Sequence, residues 1–188
     1  MCGIVGIISN QSHQKINLSL DKIAHRGPDS HGIYSHENLS LGHRRLSIID
    51  LSENGHQPMI SNCGNFVLIF NGEIYNHLDV RVKLEPKYTF KSHSDTETLL
   101  YGFIEFGSEI LNMLNGIFAF SILNKQTNEL FIARDQFGIK PLYYYSDENL
   151  FWFSSEIKSI LPLPFNKDVA VESLENYLTF LYSPAEKT

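Results

Sequence analysis

The sequence predicts an α+β fold, and three observations carry that prediction. Short apolar runs bounded by turn residues recur through the first half of the chain, as buried strands do. After Gly116, four such runs follow one another closely, joined by links short enough for hairpins. The helical patterns come in stretches of their own and do not alternate one for one with strands, which separates α+β from α/β proteins.

In chain order, residues 4–8 are a β-branched apolar run and read as a buried strand. Ile16, Leu20 and Ile23 recur at helical spacing, so residues 15–24 are expected to form an amphipathic helix. The segment His25-Arg26-Gly27-Pro28-Asp29-Ser30 ends it, because Gly-Pro does not continue a helix. Strands are expected at 32–35, 39–44 and 66–70. Ser94-Asp95-Thr96-Glu97 reads as a helix start with acidic residues in its first turn, and Leu99, Leu100, Phe103 and Ile104 as its buried face. Strands at 117–123, 130–133, 142–145 and 150–153 make antiparallel pairs, with turns at 124–128 and 146–149. Tyr143, Tyr144, Tyr145, Phe151, Trp152 and Phe153 read mostly as core packing. Helical segments at 156–161 and 171–181 follow. Residues 1–182 are expected to form one domain, and the polar, proline-containing 183–188 to begin a linker.

Composition narrows the function. At 188 residues the chain is long enough to enclose a core, and 43% hydrophobic with 19% charged residues is ordinary for a globular domain. A net charge of −6 argues against nucleic-acid binding and against a polybasic membrane surface. No apolar run approaches the roughly 18–20 residues that span a bilayer, and the N-terminus lacks a signal-peptide pattern. The expected location is the cytoplasm, where disulfides are rare, so a Cys2–Cys63 bridge is not expected. The eight histidines show no metal-ligand spacing, and no metal site is expected.

The chemistry begins at Cys2. Removal of Met1 would leave one residue carrying both a thiol, with an ordinary pKa of about 8.5, and an α-amine of about 7.7–8.0. A nucleophile and a base of matched proton affinity would then sit a few bonds apart. The bland alternative is a buried Cys opening a strand. Asn71-Gly72, directly after an apolar strand, reads either as a tight turn or as an amide and a backbone N–H converging on one oxyanion. Arg44-Arg45 either solvates a strand edge or offers a planar fork to a carboxylate. Asp95 either caps a helix or receives a substrate amine.

Seven segments in order carry a family resemblance. They are Met1-Cys2-Gly3-Ile4-Val5-Gly6, His25-Arg26-Gly27-Pro28-Asp29, Arg45-Leu46-Ser47-Ile48, Asn71-Gly72-Glu73-Ile74-Tyr75-Asn76 and Ser94-Asp95-Thr96-Glu97, then Ala133-Arg134-Asp135 with Gly138 and Pro141-Leu142-Tyr143, and Ser155-Glu156 with Lys158. Together they resemble the glutaminase domain of glutamine-dependent asparagine synthetases, a class II glutamine amidotransferase of the N-terminal-nucleophile (Ntn) hydrolase superfamily. The resemblance implies an αββα sandwich of two antiparallel sheets. It implies that Cys2 attacks the side-chain amide of L-glutamine, with Asn71 and Gly72 as oxyanion hole. Arg45 would pair with the substrate α-carboxylate and Asp95 with its α-ammonium, Glu73 assisting. Leu46, Ser47, Ile48 and Ile49 would complete the substrate loop, and Arg26 would organise the N-terminus. The neighbouring Arg44 leaves a register choice, resolved toward Arg45 because it directly precedes Leu46-Ser47-Ile48.

In that family the ammonia feeds a C-terminal synthetase domain with a Ser-Gly-Gly-x-Asp-Ser loop for ATP. The motif is absent here. No cofactor is therefore expected in this chain, and ATP and Mg would belong to the synthetase domain beyond the linker. Three readings compete: the glutaminase part of a cell-surface sugar amidotransferase, a non-catalytic docking domain, and an N-terminal-nucleophile acylase with another amide substrate, which Arg45 with Asp95 as an α-amino-acid clamp disfavours.

Overall fold

The computed structural model describes residues 1–46, 53–165 and 167–182. The expected linker, 183–188, lies outside the described residues. The elements in order are β1 (Gly3–Ile8), α1 (Ser12–Asp21), β2 (Ser30–His36), β3 (Leu39–Arg45), β4 (Met59–Ile60), β5 (Phe66–Ile74), α2 (His77–Leu84), α3 (Asp95–Phe106), β6 (Gly116–Asn124), β7 (Glu129–Arg134), β8 (Tyr143–Ser146), β9 (Phe151–Ser154) and α4 (Val171–Phe180). Short 3-10 turns lie between some of them, including Ala24–Arg26, Gly107–Met113 and Ile157–Ile160.

The strands form two sheets, one in the order β2-β3-β1-β9-β8 and one in the order β4-β5-β6-β7. Each paired neighbour is antiparallel. Strand alternation divides the apolar residues into layers. Val5 and Ile7 face outward from the first sheet and pack with Ile16 and Leu20 of α1, Ile23 and Trp152. Ile4, Leu41, Val67, Ile69, Ala119 and Phe153 meet between the sheets. Leu68, Phe70, Phe118 and Phe120 face outward from the second sheet onto Leu99 and Leu100 of α3. Val80 and Leu84 of α2 lie against Tyr101 and Ile110. The result is the αββα sandwich. Within the first sheet, Gly6 leaves room for the ring of its paired neighbour Phe153, which a Cβ would meet at 2.0 Å.

Several expectations are corrected. The first helix starts at Ser12 and stops at Asp21, and Ile23 is buried just ahead of the 3-10 turn at Ala24–Arg26. The next segment hugs β3: a Cβ on Gly27 would lie 2.4 Å from the Arg45 nitrogen. The four late strands divide into two hairpins, β6–β7 and β8–β9, one in each sheet. Tyr143 and Tyr144 are exposed, because β8 is the edge of its sheet and pairs with β9 alone. The segment at 156–161 contains only the 3-10 turn Ile157–Ile160, and α4 buries none of its residues. Helix α2 was not expected from its sequence pattern.

Candidate active site

The polar residues gather at one end of the space between the sheets. On β3 the inward face runs Leu39, Leu41, His43, Arg45, and on β5 it runs Val67, Ile69, Asn71. β1 and β3 pair Gly3 with Arg44, so one further step sets Cys2 opposite Arg45. Apolar core thus gives way to Cys2, Arg45 and Asn71 at the same level. There a cavity of about 110 Å³ opens, lined by these three residues with Leu46, Gly72, Glu73 and Asp95.

Alternation along β3 separates the two arginines. Arg45 is nearly buried at the cavity. Arg44 points to the other face, where its guanidinium meets Asp21 at 2.5 Å and the Leu20 carbonyl at 3.2 Å.

Cys2 is held through its backbone and its thiol. Arg26 Nε donates to the Cys2 carbonyl at 2.9 Å, while Arg26 Nη1 pairs with Glu156 at 3.1 Å. The Cys2 Sγ lies 3.4 Å from the Leu46 N–H and 3.6 Å from its carbonyl. Arg26 does not line the cavity; it fixes the nucleophile's own peptide. Cys2 and Cys63 are both free thiols.

Asn71-Gly72 is not a turn. β5 continues through both residues to Ile74, paired throughout with β6. The reason is the partner strand: Asn71 pairs with Ala119 and Gly72 with Phe118, and Gly72 has no Cβ to strike the Ile117 carbonyl 2.4 Å away. Phe118 directs its own N–H and C=O to Asp135 on its other side. Gly72 therefore turns its N–H to the open edge of β5, beyond the short β4. On that edge the Phe70 N–H is taken by Gln57 Oε1 at 2.6 Å and the Ile74 N–H by Asp95 Oδ2 at 2.9 Å. Gly72 lies between them at the cavity. Asn71 Nδ2 is buried and has no hydrogen-bond partner among the described residues.

Asp95 is the first residue of α3, and the cap is Ser94, whose side chain accepts from the Glu97 N–H. Burial pushes the Asp95 carboxyl above its ordinary range, against the Ile74 N–H and nearby His77, which favour the charged form. Glu73 is exposed at the rim. Ser47, Ile48 and Ile49 lie outside the described residues.

Further cavity residues had no role in the sequence reading: Gln57, Phe70, Thr96 and Lys140. Two of them had a signal, since Thr96 falls inside the Ser94–Glu97 motif and Lys140 inside the Arg134–Pro141 motif. Asp135 holds that loop by accepting the N–H groups of Phe137, Ile139 and Lys140. Lys140 Nζ then reaches Met1 Sδ at 3.6 Å, and Met1 itself lines the cavity. Among the described residues, no group of three or more His, Cys, Asp or Glu side chains is placed to hold a metal ion.

Comparison with known proteins now bears on this geometry. The whole chain, residues 1–188, matches the glutamine amidotransferase domain family. This chain belongs to that family. Glutamine-hydrolysing asparagine synthetase 1 of Bacillus subtilis is 41% identical over 196 aligned positions, which cover 100% of this chain and 31% of that protein. Asparagine synthetase B of Escherichia coli is 38% identical, covering 87% and 30%. The glutamine amidotransferase domain thus spans about a third of the length of these curated relatives. Among solved structures, glutamine phosphoribosylpyrophosphate amidotransferase from B. subtilis superposes with a TM-score of 0.72 at 23% identity, over 85% of this chain and 43% of that one. That likeness is one of fold, the αββα sandwich.

Proposed function

We propose that this domain hydrolyses L-glutamine through a Cys2 thioester and supplies the ammonia to an ATP-dependent synthetase domain of the asparagine synthetase type, in the cytoplasm. The observation that carries the reading is the single cavity shared by Cys2, Arg45, Asn71, Gly72 and Asp95. An arginine and a carboxylate on one cavity suit an α-amino acid, whose two charged ends are opposite in sign. Both are at most a tenth exposed, which strengthens their pairing with a ligand.

With Met1 removed, the Cys2 α-amine takes the thiol proton as sulfur attacks the glutamine amide carbon. The former carbonyl oxygen gains the negative charge, and Asn71 Nδ2 and the Gly72 N–H donate to it. One such donor is commonly worth about 10²–10³ in rate. The amine returns the proton to nitrogen, the C–N bond breaks and ammonia departs. Water then attacks the γ-glutamyl thioester, giving glutamate and the free thiol.

Two measurements test this. Cys2→Ala is expected to abolish glutamate release, and undiminished release would overturn the nucleophile. Protein that retains Met1 has an amide at the Cys2 nitrogen, with negligible basicity, and a methionine side chain at the cavity. It is expected to be nearly inactive, checked by intact mass alongside glutaminase assay; full turnover with Met1 attached would refute the α-amine as base.

A further inference from the structure

His43 is fully buried between the sheets, one alternation step below Arg45, and lies outside the cavity. Its Nε2 is 3.1 Å from the Phe70 carbonyl on the opposite sheet. A carbonyl only accepts, so Nε2 carries the proton and Nδ1 is bare. Nδ1 has no partner among the described residues. Burial holds the pKa of the ring down to about 3, so the imidazole is neutral at any working pH.

Phe70 occupies an unusual place. It lies at the level where β4 has ended, so its backbone lacks a strand partner on that edge. Two side chains replace the strand: Gln57 Oε1 accepts the Phe70 N–H, and His43 donates to the Phe70 C=O. Gln57 is itself anchored, its Nε2 lying 3.4 Å from Thr96 Oγ1 at the start of α3. The Phe70 carbonyl belongs to the peptide that enters Asn71, and in an extended strand it shares an edge with the Gly72 N–H.

We infer that His43 and Gln57 are positioning residues for the oxyanion hole, clamping the Phe70 peptide so that the Asn71 amide and the Gly72 N–H are fixed in the cavity. The clamp makes the hole a property of both sheets: His43 comes from one and the donors from the other. His43 lies outside the cavity, and Gln57, which reaches its wall, has its amide turned to the Phe70 N–H and Thr96. The effect of the clamp falls on the tetrahedral intermediate, where charge develops, and not on binding of the glutamine ground state.

The inference rests on the Asn71–Gly72 oxyanion reading, and the test separates the two. In the full-length protein, His43→Leu removes the donor, while His43→Gln keeps an N–H at a similar reach. His43→Leu is expected to lower the glutaminase kcat by about 10- to 100-fold, the scale of a small misplacement at the reacting centre, with KM little changed. Affinity for glutamate γ-semialdehyde, which forms a tetrahedral adduct on Cys2, is expected to fall in parallel, and His43→Gln to restore most of both. An unreduced kcat in His43→Leu would overturn the clamp, as would equal losses in kcat and 1/KM without rescue by Gln. Asn71→Ala is the control: full activity there overturns the underlying oxyanion reading, whereas loss there with none in His43→Leu overturns the clamp alone. Should His43→Leu fail to fold, Gln57→Met carries the same expectation for kcat and for the adduct.

Discussion

Gly72→Ala gives the sharpest test of how backbone packing sets the chemistry. A Cβ at residue 72 would stand 2.4 Å from the Ile117 carbonyl oxygen, 2.8 Å from Phe118 Cα and 2.8 Å from the Phe70 ring. The ring can rotate away, but the first two atoms are backbone of the paired strand β6. Ordinary contact begins near 3.4 Å, so β5 must move by about 1 Å relative to β6. The moving group is the oxyanion donor itself, and a displacement of that size at a reacting centre costs about 10²-fold in rate. Overpacking of this kind also costs about 1–3 kcal/mol in stability. Gly116→Ala separates the two effects. Its Cβ would meet the Glu73 carbonyl at 2.4 Å in the same ladder, without resting on the donor. Steady-state glutaminase assays with urea denaturation are expected to show similar stability losses in the two variants and a much larger fall in kcat for Gly72→Ala. Equal kcat values in the two would refute the argument.

Two further predictions follow from the buried carboxylates. Because the folded pKa of Asp95 is raised, mainly by burial, the native state holds its proton more tightly than the unfolded chain. Ionisation therefore subtracts stability as pH rises from the ordinary carboxylate value through the raised one. Asp95→Asn is expected to stabilise the domain at neutral pH while raising KM for glutamine by about 10- to 100-fold, the worth of a charge-assisted contact. Wild-type kcat/KM should fall as pH drops through the raised value; a variant less stable than wild type with unchanged KM would count against both claims. For Asp135, burial alone would raise the carboxyl, but N–H groups of Lys140, Ile139, Phe118 and Phe137 outweigh it and hold the pKa below the ordinary range. Its stabilisation is present above the unfolded carboxylate pKa and lost as pH falls through the lower folded one. Asp135→Ala is expected to cost on the order of 3 kcal/mol by denaturation, since four N–H groups lose their acceptor.

The strands were legible because their periodicity is local: residues 4–8, 39–44, 66–70 and the late hairpins all lie within observed elements or within a residue of them. The exceptions share a cause. The length of β5 depends on β6 pairing it past Phe70, a contact about fifty residues distant, so a local Asn-Gly turn signal was outvoted. Tyr143 and Tyr144 have the composition of core residues, but their burial depends on β8 being an edge strand, which is a matter of topology. Helix α2 reads weakly because it buries little beyond Val80, Arg81 and Leu84.

Residue types and order by themselves determined the α+β class, the candidate nucleophile with its potential base, and the set of polar groups suited to an α-amino acid. The family resemblance pointed to Arg45 over Arg44, but only the tertiary structure decided that Arg44 turns away to Asp21, that Ser94 caps α3 and leaves the Asp95 carboxylate at the site, and that His43 and Gln57 hold the Phe70 peptide. The physical reason is that a side chain's chemistry is carried by its own atoms. Its direction, burial and partners are set by strands from distant parts of the chain, whose register no local pattern encodes.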